Sequence, residues 1–242
     1  MIRAICYLKA LVVLTIYYGS KVIFAAMLRI ENTHGGVYDR TPRDWARKVL
    51  KAAGVRVDTI GFEHIPKDRP VVYVSNHQSF FDILALSLTL PYTFRLVAKK
   101  ELAMIPIFGQ AIKAAGHIYI DRQRREAAFE SYERAASVIH EGMSALIFAE
   151  GTRSRTGNLL PFKKGPFVLA IAAQVPALPV YCANTFGILP KGHIRVRPRP
   201  ITLYFGEPIE TAGMSYEDRD ELSTKVRTVI EGFRDDAARR SP

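Results

Sequence analysis

Val71-Val72-Tyr73-Val74-Ser75-Asn76-His77-Gln78-Ser79-Phe80-Phe81-Asp82 decides how the whole chain is read. Its first five residues are a short β-branched run, which reads as a strand. Ser79, followed three residues later by Asp82, has the form of a capping box. It opens a helix candidate over 79–90 that stops before Pro91. A histidine therefore lies in the turn between strand and helix, with a carboxylate five residues on. His77 can take a proton near neutral pH, because an unperturbed imidazole has a pKa of about 6.5. Asp82 can accept from the other ring nitrogen and fix the tautomer. The same aspartate also reads as an ordinary helix cap. The two readings are compatible, since a capped helix start holds Asp82 rigidly.

Outward from this stretch, strand and helix signals alternate. Strands are expected over 94–98, 117–120, 144–149 and 177–184. Helical patterns fall over 99–115, broken by Pro106 and Gly109, and over 124–141, where Ala127, Ala128, Tyr132, Ala135, Val138 and Ile139 share a face. Further helices are expected at 167–173 and 216–240, and an extended stretch with Pro198 and Pro200 at 193–205. This order gives an α/β class: a mostly parallel central sheet flanked by helices. In such sheets ligands bind beyond the carboxyl ends of the strands.

A second polar group lies at such an end. Glu150-Gly151-Thr152-Arg153 offers a glycine turn, a hydroxyl and a guanidinium, which are donors suited to a phosphate. Standing alone it would read as a solvated turn. Lys163 and Lys164 follow nearby, Arg122 comes after the strand ending at Ile120, and Lys99 and Lys100 after the one ending at Ala98. Each cation is weak evidence singly. Their recurrence past strand ends points to an anion site.

The net charge of +11 over 242 residues points to an anionic partner. The cations follow strand ends rather than forming an aromatic-interleaved stripe, which disfavours nucleic acid. Residues 2–30 are mostly apolar, with Arg3, Lys9, Lys21 and Arg29 as their charges. The uncharged run 10–20 is shorter than the roughly 20 residues a bilayer needs. Extended to Leu28, with Lys21 snorkelling, it could span; its aromatic and cationic residues also suit the interface. We expect residues 1–40 to form a membrane-associating helical segment and linker, and 41–242 an α/β catalytic domain. The polar, glycine-containing stretch 31–45 reads as linker. Met104-Ile105-Pro106-Ile107-Phe108 reads either as core or as an exposed apolar loop. Cys6 and Cys182 are far apart, so no disulfide is expected. Gly-x-Ser-x-Gly, Walker-type and His-Glu-x-x-His patterns are missing from the sequence.

Four ordered stretches resemble the glycerolipid acyltransferases, specifically the 1-acyl-glycerol-3-phosphate (lysophosphatidic acid) acyltransferase family. Asn76–Asp82 looks like its His-x-x-x-x-Asp block. Lys99-Lys100-Glu101-Leu102 with Pro106 and Gly109, closing at Ile120-Asp121-Arg122, looks like the second. Phe148-Ala149-Glu150-Gly151-Thr152-Arg153-Ser154 is similar to the third, with Ala149 where proline is usual, and 175–180 to the fourth. The resemblance implies transfer of a fatty acyl group from acyl-CoA or acyl-carrier protein to the sn-2 hydroxyl of 1-acyl-glycerol-3-phosphate. It implies His77 as general base and Asp82 as its partner. Glu150, Gly151, Thr152 and Arg153 would hold the glycerol-phosphate, helped by Arg122 and Lys99. It implies no metal and no organic cofactor, the donor being a co-substrate. The expected setting is an anionic membrane, of the bacterial inner-membrane type or an equivalent, with the catalytic part facing the cytosol. Other acceptors remain open (glycerol 3-phosphate, another lysophospholipid, a lyso-ornithine lipid), as does a non-catalytic basic membrane-binding protein.

Overall fold

Strands β1 (Val57–Ile60), β2 (Val72–Ser75), β3 (Phe94–Lys99), β4 (Ile118–Ile120), β5 (Ser144–Phe148), β6 (Ala177–Ala183) and β7 (Ile201–Phe205) form one sheet. In this computed structural model the order is β1-β7-β6-β2-β5-β3-β4. It describes residues 2–91, 94–120, 132, 135–137, 139, 140 and 142–240, with side chains from residue 7 onward. β2 pairs in parallel with β5 and β6, β5 with β3, and β3 with β4. Only β7 runs antiparallel to its neighbour β6, carrying β1 with it. The mostly parallel α/β class expected from the sequence is therefore the observed one.

Every residue of β2, β5 and β6 is buried. That follows from their near-continuous apolar sequences, since a central parallel strand is covered on both faces. One core layer lies under α2 (Val37–Ala53), α3 (Phe80–Thr89) and part of α1 (Ile2–Met27). The other lies under α5 (Gly165–Ala172) and the terminal helix Arg219–Arg240. Helical residues 135, 136 and 139 belong to that second layer; the rest of the expected helix over 124–141 lies largely outside the described residues. The extended stretch expected over 193–205 forms a strand only from Ile201. Pro198 and Pro200 precede the ladder, because proline has no N–H to give it. The short α4 (Phe108–Ala114) begins after Pro106, where the sequence broke the helical pattern.

The expected linker over 31–45 is corrected by the structure. Helix α2 begins at Val37, so the boundary between 40 and 41 falls inside it. Its inner face, Tyr38, Trp45, Ala46, Val49, Leu50 and Ala53, is spaced for an amphipathic helix. The polar character of its first turns hid this. Asp39 is itself buried, and its Oδ1 accepts from Arg95 Nη1 at 2.8 Å. A charged pair inside the protein reads, in sequence, as a loop.

Helix α1 is no detached appendage. Tyr7 stacks on Phe81 with ring centroids 5.7 Å apart. Trp45 Nε1 donates to Thr15 Oγ1 at 3.1 Å. At Gly19 a Cβ would stand 2.7 Å from Ile107 Cγ2, so glycine lets the helix approach the residue just before Phe108 closely. The opposite face, with Val12, Val13, Ile16, Tyr17 and Phe24, is exposed and apolar. The portion Tyr7–Met27 is long and apolar enough to cross a membrane.

The Asp39–Arg95 pair joins α2 to β3, with both side chains almost fully buried. Removing one member leaves a buried charge uncompensated. We therefore expect Asp39→Ala to lose about 3–5 kcal/mol of stability in urea unfolding, and Asp39→Leu with Arg95→Met to recover most of it. A single-variant loss within the scatter of surface substitutions would show the pair to be well solvated.

Candidate active site

The carboxyl end of β2 runs into Asn76, whose side chain imitates a strand. Its Oδ1 accepts from Cys182 N at 2.7 Å and its Nδ2 donates to Cys182 O at 3.3 Å. This pins the turn to β6, so the following residues leave the sheet in a fixed direction. Ser79 then caps α3: its hydroxyl accepts from Phe81 N and donates to Leu189 O. Asp82 closes the capping box.

Asp82 is fully buried, and its Oδ2 collects three donors. Gln78 N lies at 2.7 Å, Ser79 N at 2.8 Å and His77 Nδ1 at 2.8 Å. A carboxylate only accepts, so Nδ1 carries the proton and the Nε2 lone pair is left available. His77 Nε2 makes no hydrogen bond among the described residues. The ring lies on Phe148, with centroids 3.9 Å apart and planes 14° from parallel. Its side chain is 13% exposed, which leaves one edge reachable. The pair read from the sequence is thus assembled, and Asp82 is at once a cap and an orienting group.

The block after β5 is tied to the same turn. Ser154 N donates to His77 O at 2.8 Å. Gly151 turns the chain with φ +70°, in the left-handed region that favours glycine. Thr152 is exposed and its hydroxyl accepts from Lys191 Nζ at 2.8 Å. Arg153 is half-buried and makes no hydrogen bond or ion pair among the described residues. Its guanidinium, with five donors, finds no acceptor among the described residues.

Glu150 is placed otherwise than the sequence implied. It is 1% exposed. Its Oε1 accepts from His77 N at 2.8 Å and its Oε2 from Leu160 N at 2.9 Å. Both oxygens are spent on backbone amides, so the side chain braces the turn rather than facing an anionic ligand. Burial pushes its pKa up to about 7, against the lowering effect of the two amides; the Asp82 carboxylate raises it further. Lys99 ends β3, two strands away from β2, or about 10 Å at the usual strand spacing. Its ammonium is exposed and lies 3.9 Å from Glu101, and it touches neither His77 nor the Glu150–Ser154 block in any described contact. Arg122 lies outside the described residues.

An apolar cavity lies along α3 beyond Asp82. Ile83, Trp45, Leu96, Phe108 and Leu146 line it, with Gly19 of α1. In the loop leading to α4, Met104 is 83% exposed, whereas Phe108 turns inward toward Trp45. Sequence reasoning missed the bracing by Leu160, the Asn76 clamp and Lys191. The backbone amide of Leu160 and a lysine 39 positions from Thr152 carry no sequence signal. Cys182 is buried, free and held as a thiol by its surroundings.

A family model described as acyltransferase matches residues 56–183, from just before β1 to the end of β6. This chain belongs to the acyltransferase family. It is 41% identical over 141 residues to a 1-acyl-sn-glycerol-3-phosphate acyltransferase of Cocos nucifera, covering 58% of this chain and 46% of that one. It is 35% identical over 175 residues to 1-acyl-sn-glycerol-3-phosphate acyltransferase alpha of Homo sapiens, covering 72% of this chain and 62% of the relative. The chain thus spans about half to two thirds of the length of such relatives. The crystal structure of the 1-acyl-sn-glycerophosphate (LPA) acyltransferase PlsC from Thermotoga maritima superposes with a TM-score of 0.84 at 27% identity. That match covers 100% of this chain and 97% of the other, so the acyltransferase fold here includes α1 and the terminal helix.

In this acyltransferase Glu150 links two amides that no other acceptor serves among the described residues. Glu150→Gln keeps one acceptor and turns an N–H₂ toward the second amide, which we expect to cost about 1–3 kcal/mol. The sign of its pH dependence is fixed. The folded pKa is raised, from 4.5 to about 7, so the folded state binds the proton more tightly. That contribution is full below the unfolded pKa and is lost as pH rises through the folded one. Urea titrations should show the stability of wild type relative to Glu150→Gln falling between pH 4.5 and about 7. A difference independent of pH would mean that Glu150 does not titrate in that window.

Proposed function

We propose that this acyltransferase moves a fatty acyl group from acyl-CoA or acyl-carrier protein to the sn-2 hydroxyl of 1-acyl-glycerol-3-phosphate, giving phosphatidic acid. The observation that carries this reading is the His77 Nδ1–Asp82 Oδ2 hydrogen bond, with Nε2 left available beside the Glu150–Ser154 turn. The similarity to 1-acyl-sn-glycerol-3-phosphate acyltransferases of Cocos nucifera and Homo sapiens supports the choice of acceptor.

The reaction needs no enzyme-bound acyl intermediate. Nε2 of His77 removes the proton from the acceptor hydroxyl as its oxygen attacks the thioester carbonyl. The C–O bond forms, the tetrahedral intermediate collapses, and the C–S bond breaks. The departing thiolate takes up the proton that His77 had removed. Asp82 holds the ring in the required tautomer and stabilises the transient imidazolium. Arg153, Thr152 and the Gly151 turn bind the acceptor's phosphate, with Glu150 acting on His77's own backbone. Arg122 and Lys99 are candidates for the outer part of the same anion site. The apolar cavity beside Ile83 takes an acyl chain, which its lining suits.

The setting is a membrane, with the catalytic body on the cytosolic side where the donor is found. Helix α1 is docked along one face and apolar on the other, which fits a helix lying in the interface better than one crossing the bilayer. A crossing helix would forfeit its contacts with Trp45 and Phe81.

His77→Ala should lower acyl transfer to lysophosphatidic acid by about 10²–10⁴-fold while leaving folding and membrane association intact. Full activity in that variant would refute the mechanism. Arg153→Ala should act mainly on KM for the phosphate-bearing acceptor, with little change in KM for acyl-CoA. An acceptor KM equal to that of wild type would remove Arg153 from the anion site.

A further inference from the structure

Beyond Pro190 the chain reads Lys191-Gly192-His193-Ile194-Arg195-Val196-Arg197-Pro198-Arg199-Pro200, with a cationic or imidazole residue at every second position. The segment forms neither helix nor strand. Pro198 and Pro200 hold Arg197 and Arg199 extended, since a residue before proline avoids the helical region. Arg195, Arg197 and Arg199 are exposed; Arg197 N donates to Ile188 O at 2.9 Å, and none of the three guanidiniums makes a hydrogen bond or ion pair among the described residues. Arg195, Arg197 and Arg199 alternate along an extended stretch and pair with no carboxylate among the described residues, an arrangement that an outside anion would relieve.

The segment's position is as informative as its charge. It starts beside the Glu150–Ser154 turn, where Lys191 donates to Thr152. It ends where β7 begins, at the carboxyl-side edge of the parallel strands. Val196 packs into the core layer beneath α1, α2 and α3, and Pro198 lies beside Gly54 at the end of α2. Leu189, just before it, accepts from Ser79, while Tyr7 of α1 stacks on Phe81 two residues on. The basic segment and the start of α1 therefore flank the same turn of α3. Ile194 completes the pattern. It is 74% exposed between His193 and Arg195, an apolar side chain offered to solvent among cations.

We infer that residues 193–199 form a second, electrostatic membrane contact that takes anionic phospholipid headgroups, with Ile194 entering the interface. This deepens the membrane setting of the proposed function and rests on it. Cations beside an apolar tip match a negatively charged bilayer surface, where basic side chains meet phosphates and an aliphatic one meets the acyl boundary. Neither part has a use against a purely aqueous neighbour. The apolar face of α1 recognises any bilayer, whereas this segment discriminates by charge. It thereby turns the mouth of the site toward membrane in which anionic acceptor and product reside.

The test uses the full chain with Arg195→Gln, Arg197→Gln and Arg199→Gln combined, and separately with Ile194→Ser. Flotation is measured on phosphatidylcholine vesicles with and without phosphatidylglycerol, over a salt series. Each arginine should be worth about fivefold in partitioning to the anionic vesicles, so the triple variant should lose on the order of 10²-fold. Its salt dependence should flatten, and its binding to pure phosphatidylcholine should be unchanged. Ile194→Ser should weaken binding to the anionic vesicles without flattening the salt dependence. In detergent, kcat and the donor KM of the triple variant should equal those of wild type. Two results would overturn the inference: anionic-vesicle binding that survives the triple substitution, or a raised KM for acyl-CoA with vesicle binding intact, which would give the segment to the donor's phosphates. If wild type transfers no acyl group, the proposed activity fails, while the flotation arm still decides this inference.

Discussion

One oxygen atom carries most of the arrangement described above. Oδ2 of Asp82 accepts from two successive backbone amides and from the imidazole of His77. The amides are those of Ser79, the N-cap of α3, and of Gln78 just before it, so Asp82 closes the entry to the helix. A folding requirement and a chemical one therefore converge on the same carboxylate. Because the cap fixes Asp82, and Asp82 fixes Nδ1, the free Nε2 edge is held in one direction before any ligand arrives. Such preorganisation is what a base needs if it is to act without a further reorganisation cost.

A second buried carboxylate does for the backbone what Asp82 does for the ring. Glu150 holds the amide of His77 on one oxygen and that of Leu160 on the other, so the turn after β2 and the loop after β5 are tied to each other. Parallel pairing of β2 with β5 makes this feasible, since it brings both strand ends to the same edge. Asn76 fastens the third neighbour, β6, through its reciprocal bonds to Cys182. What remains outside this web is Arg153, a guanidinium with no protein acceptor among the described residues. The rigid part of the site is thus the base, and the part with spare hydrogen-bonding capacity is the anion side.

Much of this was legible in the chain. The alternating strand and helix signals gave the α/β class, because apolar periodicity reports burial directly. The capping box at Ser79 and Asp82 gave the start of α3, and its five-residue spacing from His77 gave the pair. Helix α2 was not legible: Asp39, Arg43 and Asp44 made it look solvated, whereas Asp39 is neutralised inside the protein by Arg95 from another element. The part played by Glu150 was hidden for a related reason. Sequence shows a carboxylate beside a basic residue, but only folding reveals that its partners are amides 10 and 73 positions away. Lys191 reaches Thr152 through a loop that carries no periodic signal at all.

The docked helix α1 and the basic segment after Pro190 give the molecule a sided surface, apolar on one element and cationic on the other, around the turn that carries His77. Both would be idle unless the base itself were correctly protonated. The most direct test of that claim is the nitrogen-15 NMR spectrum of the His77 ring in wild type, read in the neutral state. Protonated Nδ1 with a bare Nε2 is the tautomer that the hydrogen bond to Asp82 requires. A ring protonated at Nε2, with a bare Nδ1 facing the carboxylate, would contradict the account at its base.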